Sequence, residues 1–95
     1  MVPLDGRPEA PAQPPTILDE LATAMRLKRY SARSVESYSR WVGQYIRFHG
    51  LRHPSELQAI HIKRFLVHLA EDRKVSASTQ NQALSALLFL YREVL

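Results

Sequence analysis

SASTQNQALSALLFLYREVL, residues 76–95, decides how the rest of the chain is arranged. Its front carries Ser76, Ser78, Thr79, Gln80, Asn81 and Gln82, uncharged hydrogen-bonding side chains on the opening turns of a predicted helix, where free backbone N–H groups also point outward. Such an end suits phosphates and base edges. Polar residues at a helix start are also ordinary caps. Behind them Ala83, Leu84, Leu87, Leu88, Leu90, Tyr91, Val94 and Leu95 recur at steps of three and four and cover more than one narrow stripe. One helix thus holds a polar tip by an apolar anchor.

Three further helices are predicted upstream. Thr16 is an N-cap with Asp19 three positions on, and Leu18, Leu21, Ala22 and Met25 share one face of a helix running to about Lys28. Its end holds Arg26, Lys28, Arg29 and Arg33 with no acid between them. Cations there complement the helix dipole by about 0.3–1 kcal/mol each, so the cluster reads equally as a cap and as a phosphate contact. Ser31 caps the second helix, which runs to His49 with Gly50 as its left-handed stop. Val35, Tyr38, Val42, Tyr45, Ile46 and His49 form its core face, widened by Trp41 and Phe48. On the opposite face Arg33, Ser37, Arg40, Gln44 and Arg47 recur at steps of four, three, four and three, with no acid among them. Like charges at this spacing repel by a few tenths of a kcal/mol, and a solvated face normally mixes signs. The stripe points to a polyanion, with a merely solvated face as the alternative.

His53-Pro54 disfavours helix and marks a connection, which Leu57 and Ile60 are expected to plug into the core within a short helical turn. A third helix is predicted from about His61 to Arg73, with Ile62, Phe65, Leu66 and Leu69 inward and Lys63, Arg64, His68, Glu71 and Asp72 outward. Its mixed signs assign it to the scaffold. Residues 74–76 are a short linker into the last helix.

Length and composition bound the function. The chain has 95 residues, enough for one small domain at 16–95 and no second core. Cysteine is absent, which excludes disulfides and Cys-based zinc sites. Lys plus Arg number 13 against 9 acids, a net charge of +4 that leans toward nucleic acid. No run of apolar residues suggests a membrane span or a signal peptide. Residues 1–15, MVPLDGRPEAPAQPP, contain five of the six prolines and are expected to form a disordered leader. His49, His53, His61 and His68 lack an HExxH spacing or a companion Cys or carboxylate set, so no metal or cofactor is expected. Tyr30, Tyr38, Tyr45 and Tyr91 show no convergent His and Arg, and no catalytic machinery is legible.

YSARSVESYSRWVGQYIRFHG (30–50), RHPSEL (52–57) and FLVHLAEDRKVSASTQNQALSALLFLYREVL (65–95) together resemble the N-terminal, SAM-like core-binding domain of tyrosine recombinases, and among these the integron integrases. The resemblance covers about residues 18–95. It implies an all-α, roughly orthogonal four-helix bundle that forms half of a clamp around DNA, with its second and fourth helices against the major groove. Carried over by position, it implies DNA contacts at Lys28, Arg29, Ser31, Arg33, Ser34, Ser37 and Arg40 around the second helix, and at Lys74, Ser76, Ser78, Thr79, Gln80, Asn81 and Gln82 leading into the fourth. It also implies that catalysis belongs to a C-terminal domain following Leu95, whose arginine, lysine, histidine and tyrosine set is absent here, so that this chain binds DNA without cutting it. The implied partners are the recombination site, that catalytic domain and neighbouring recombinase protomers, in the bacterial cytoplasm at the nucleoid. Leu88, Phe89, Val94 and Leu95 exceed what a small bundle needs, and some are expected to stay exposed as docking surface. A helical protein-interaction module and a stand-alone DNA-binding regulator are the alternatives.

Overall fold

Each helix begins where a side chain satisfies its first backbone donors. In the computed structural model, which describes residues 16–95, Thr16 Oγ1 accepts from the Asp19 N–H at 3.1 Å while the Asp19 carboxylate accepts from the Thr16 N–H at 3.0 Å. This reciprocal box opens α1, Ile17–Leu27. Ser31 caps α2, Ala32–Phe48, and Ser76 caps α4, Ala77–Phe89, each accepting from the N–H three residues on at 3.1 Å. The third helix, α3, Ala59–Val67, starts earlier than the expected His61. The reason is local: the Gln58 N–H donates to His61 Nδ1 at 2.8 Å, so a histidine takes the place a Glu or Gln usually holds in such a box. A single 3₁₀ turn, Pro54–Glu56, joins α2 to α3.

The ends are less regular than the starts. α1 closes with the Tyr30 N–H on the Met25 carbonyl (3.0 Å) and the Arg29 N–H on the Arg26 carbonyl (2.9 Å), a Schellman pair that puts Arg29 at φ +65°. α2 closes in the same way on Gly50, φ +76°, as its sequence predicts. α3 and α4 each run on into one π turn, His68–Asp72 and Leu90–Val94.

The core is assembled around α4. Ala83, Ala86, Leu87 and Leu90 are fully buried, against Leu21 and Met25 of α1, Val42 and Tyr45 of α2, and Phe65 and Leu69 of α3 and its extension. Two alanines three residues apart leave room for a neighbouring backbone, and α4 packs on both α2 and α3 while its final turn reaches α1. The result is an all-α bundle of four helices with no strand among the described residues. The leader expected at 1–15 lies outside the described residues. Among those residues no helix is long and apolar enough to cross a membrane.

Leu57 plugs the core as expected, but Ile60 does not: it is 45% exposed. Ile60 precedes the buried Phe65 by five residues, about 140° around the helix, so it faces outward once α3 starts at Ala59. His68, expected on the outer surface, is half-buried, with its ring stacked on Phe48 at 4.7 Å and its Nδ1–H donating to Asp72 at 2.9 Å. Phe89 is buried, edge-on to Tyr30 at 5.3 Å, whereas Leu88 and Val94 are half-buried and Leu95 is 44% exposed.

Polar groups inside the bundle are paired. The Tyr91 O–H donates to the Pro54 carbonyl at 2.7 Å, which leaves its oxygen to accept from the Tyr45 O–H at 3.1 Å. This relay ties the end of α4 to α2 and to the connection between α2 and α3. Burial, then the contact with Tyr91, pushes the Tyr45 phenol far above its ordinary pKa, and burial raises Tyr91 as well. The His49 ring bonds the His61 carbonyl through Nε2 at 2.9 Å, and burial holds its pKa below the usual histidine value.

The relay has a direction, and substitutions read it. Tyr91→Phe strands the Tyr45 hydroxyl and removes one of two donors to the Pro54 carbonyl, which keeps the Leu57 N–H at 3.0 Å, and is expected to cost about 1–3 kcal/mol by urea denaturation, whereas Tyr45→Phe leaves Tyr91 satisfied and costs about 0.5–1.5 kcal/mol. A larger loss for Tyr45→Phe than for Tyr91→Phe would contradict the stated direction.

Candidate nucleic-acid interface

Two segments of the chain solve the same local problem in the same way. RYSARS (29–34) leads into α2 and KVSAST (74–79) leads into α4. In each, a basic residue in the left-handed region (Arg29, φ +65°; Lys74, φ +53°) turns the chain. One residue then leads to the capping serine, and a hydroxyl three positions on bonds that serine at 3.1 Å, Ser34 to Ser31 and Thr79 to Ser76. Left-handed conformations cost a non-glycine residue about 1–2 kcal/mol, so each turn is held under strain beside a helix N-terminus. The register continues into the helices: Val35, Trp41, Val42 and Tyr45 are buried on α2, and Ala83, Ala86, Leu87 and Leu90 on α4, the same phase with Gln80 standing where α2 has Val35.

That phase explains where the expected contacts fall. Arg29, Arg33 and Arg40 are exposed around α2, with Ser37 half-buried between them, and Ser78, Asn81 and Gln82 are exposed on α4. The described residues form three ion pairs, Lys28–Glu93 at 3.4 Å, Arg52–Glu56 at 3.7 Å and His68–Asp72, and none of them involves Arg29, Arg33, Arg40 or Arg47. Other expected contacts are already engaged within the fold. Lys28 holds Glu93, and the Lys74 ammonium donates to the Glu71 carbonyl at 3.3 Å. Ser31, Ser34, Ser76 and Thr79 bond one another across their caps. Gln80, on the inward phase, donates through Nε2 to the Leu66 carbonyl of α3 at 3.1 Å, just before that helix changes to its π turn.

One cation was not singled out by spacing. Arg73 Nη1 donates to Gln44 Oε1 at 2.6 Å, joining the link that enters α4 to the polar stripe of α2. Because the two residues are 29 apart in sequence, only the packing of α2 on α4 reveals the pair; the available signal was the adjacent basic pair Arg73-Lys74. The outcome is a pair of neighbouring helices, one presenting arginines and the other amides and a hydroxyl, bridged at Gln44.

Residues 17–95 match the family described as phage integrase, N-terminal SAM-like domain. A protein named Integrase/recombinase from Escherichia coli is 47% identical over 88 residues, which cover 93% of this chain and 26% of that relative. A protein of the same name from Pseudomonas aeruginosa matches to the same extent. The chain thus spans about a quarter of the length of the curated relatives it matches.

The caps and the strained turns make opposite stability predictions. Ser31→Ala and Ser76→Ala are each expected to destabilise the fold by about 0.5–2 kcal/mol. Arg29→Gly and Lys74→Gly, which relieve the left-handed strain, are expected to leave stability unchanged or raise it by up to about 1 kcal/mol. Thermal unfolding of the four variants checks both signs.

Proposed function

Because this chain belongs to the phage integrase N-terminal SAM-like domain family, we propose that it is the DNA-binding, core-binding domain of an integron-type site-specific tyrosine recombinase. On this reading α2 and the start of α4 lie against the major groove and phosphates of the recombination site. The observation that carries it is the arginine stripe of α2, unpaired among the described residues and bridged through Gln44 and Arg73 to the amide-bearing start of α4. Arg29, Arg33 and Arg40 neutralise phosphates, while Asn81 and Gln82 reach base edges, the division of labour that duplex recognition uses. The outer face of α3 and its π turn, where Lys63 and Arg64 are followed by Glu71 and Asp72, is scaffold.

The domain itself is non-catalytic. The Tyr45 and Tyr91 hydroxyls are committed to the relay and burial keeps them protonated, so neither is a nucleophile for a phosphodiester. Strand cleavage then falls to the part of a longer recombinase that the relatives possess and this chain does not match. The exposed Leu95, with half-buried Leu88 and Val94, offers a docking surface to that catalytic domain or to a neighbouring protomer. The setting is the bacterial cytoplasm, on the nucleoid.

Fluorescence anisotropy with a short duplex over a range of salt tests the reading. Affinity is expected to fall linearly in log–log form, and Arg33→Ala or Arg40→Ala to flatten that slope by about 0.9 each. Salt-independent binding, or slopes that both substitutions leave unchanged, would remove the stripe from the interface. A protein-interaction module with an acidic partner predicts no duplex binding at all.

A further inference from the structure

Three of the chain's four histidines, His49, His53 and His61, stand on the connection from the end of α2 to the first turn of α3. His53 and His61 each use a ring nitrogen as an acceptor for the backbone. His53 Nδ1 accepts the Ser55 N–H at 3.1 Å and opens the 3₁₀ turn, and His61 Nδ1 accepts the Gln58 N–H at 2.8 Å and opens α3. A doubly protonated imidazole offers two donors and no acceptor, so it can make neither bond. The Ser55 hydroxyl, 2.8 Å from His53 Nδ1, can still accept from a protonated ring, but the Ser55 N–H is then left without its partner. The third ring, His49, donates its Nε2–H to the His61 carbonyl at 2.9 Å and stands edge-on to the His61 ring at 5.1 Å.

The charges that face these rings are cations. Burial first, and then His61, Arg64 of α3 and Arg52, hold the His49 pKa below the usual histidine value. α2 offers His49 only the aromatic rings of Tyr45 and Phe48, at 5.1 Å and 4.8 Å, and α4 reaches the connection through the neutral Tyr91 hydroxyl on the Pro54 carbonyl. Among the described residues no carboxylate pairs with any of the three: Glu56 is taken by Arg52 at 3.7 Å, and Asp72 by His68 at the far end of α3. A proton on His61 would also set a cation in the first turn of α3, against the positive end of the helix. We propose that this connection is a proton-released latch, in which three uncharged histidines hold residues 50–58 on the bundle with Pro54 and Leu57 buried as the plug. Protonation removes the two turn-opening bonds and makes His49 and His61 repel, so the segment leaves the core. α2 and α4 pack on each other directly and stay together without it. Stability falls as pH falls, because histidines in the unfolded chain titrate near their ordinary value of about 6.5 and take up protons that the latched state refuses. Ordinary carboxylates stay ionised over most of the range from pH 7 to about 5, so the histidines dominate that window.

Urea unfolding of the whole chain at both ends of that window, with amide and histidine-ring NMR signals followed across it, tests the latch. The folding equilibrium constant is expected to drop about tenfold from pH 7 to pH 5. The Ser55 and Gln58 amide signals are expected to move toward unfolded positions as the rings titrate, while those of Leu87 and Leu90 hold. The double variant His53→Asn, His61→Gln supplies acceptors that do not titrate, and is expected to shrink the drop to about threefold. His68→Gln, outside the connection, is expected to leave the drop in place. Equal folding constants at the two pH values, or a full drop in the double variant, would overturn the latch. So would Ser55 and Gln58 signals that hold while the rings titrate, or Leu87 and Leu90 signals that move with them, since the second result is loss of the whole fold. If the double variant does not fold, the amide titration of the unaltered chain decides by itself.

Discussion

The burial of α4 is the constraint on which the outward surfaces depend. Ala83, Ala86, Leu87 and Leu90 are fully enclosed, and the helix contacts α2 and α3 along its length and α1 through its last turn. Burying such side chains contributes about 1.5–3 kcal/mol for each large aliphatic residue, so the helix cannot shift without disturbing every neighbour. The alanines are as fully enclosed as the leucines, and their small side chains leave room for a neighbouring backbone. Tyr91 then pins the far end of the same helix to α2 and to the Pro54 carbonyl. The angle between the arginine stripe and the amide-bearing start of α4 is therefore a property of the core.

Most of the framework can be read locally. Thr16, Ser31 and Ser76 announce their helices through side chains that bond the backbone three residues on, and Gly50 announces a stop, because these are short-range interactions between neighbours in sequence. The start of α3 is hidden because His61 does the work of a Glu, and Ile60 was misplaced with it. The π turns after Val67 and Phe89 leave no mark in a pattern built on a period of 3.6. Phe89 was expected as surplus and is instead enclosed by Tyr30 and Tyr38 from two other parts of the chain.

The candidate interface is legible as segments and not as single residues. Nothing in residue type distinguishes Gln80 from Gln82, yet one is turned to the Leu66 carbonyl and the other faces solvent. Counting back from Ala83 and Leu87 does place Gln80 on the buried side, so phase was the usable signal. Arg29 and Lys74 adopt a conformation that only glycine or asparagine would advertise. Of the three non-glycine residues at positive φ, Arg29, Leu51 and Lys74, two are basic, and both of these stand two positions before a capping serine. A conformational cost repeated at two equivalent cationic turns is the kind of outlier that marks a functional surface, and glycine at either position would give up the charge.

Amide chemical-shift mapping on titration with a short, fully paired duplex tests the central claim most directly, namely that α2 and the start of α4 form one surface for DNA. The account predicts that perturbations concentrate at residues 28–40 and 74–82 and titrate together, while Lys63 and Arg64 on the outer face of α3 stay silent. Perturbations centred on α3, or confined to one of the two segments with the other unmoved, would contradict it.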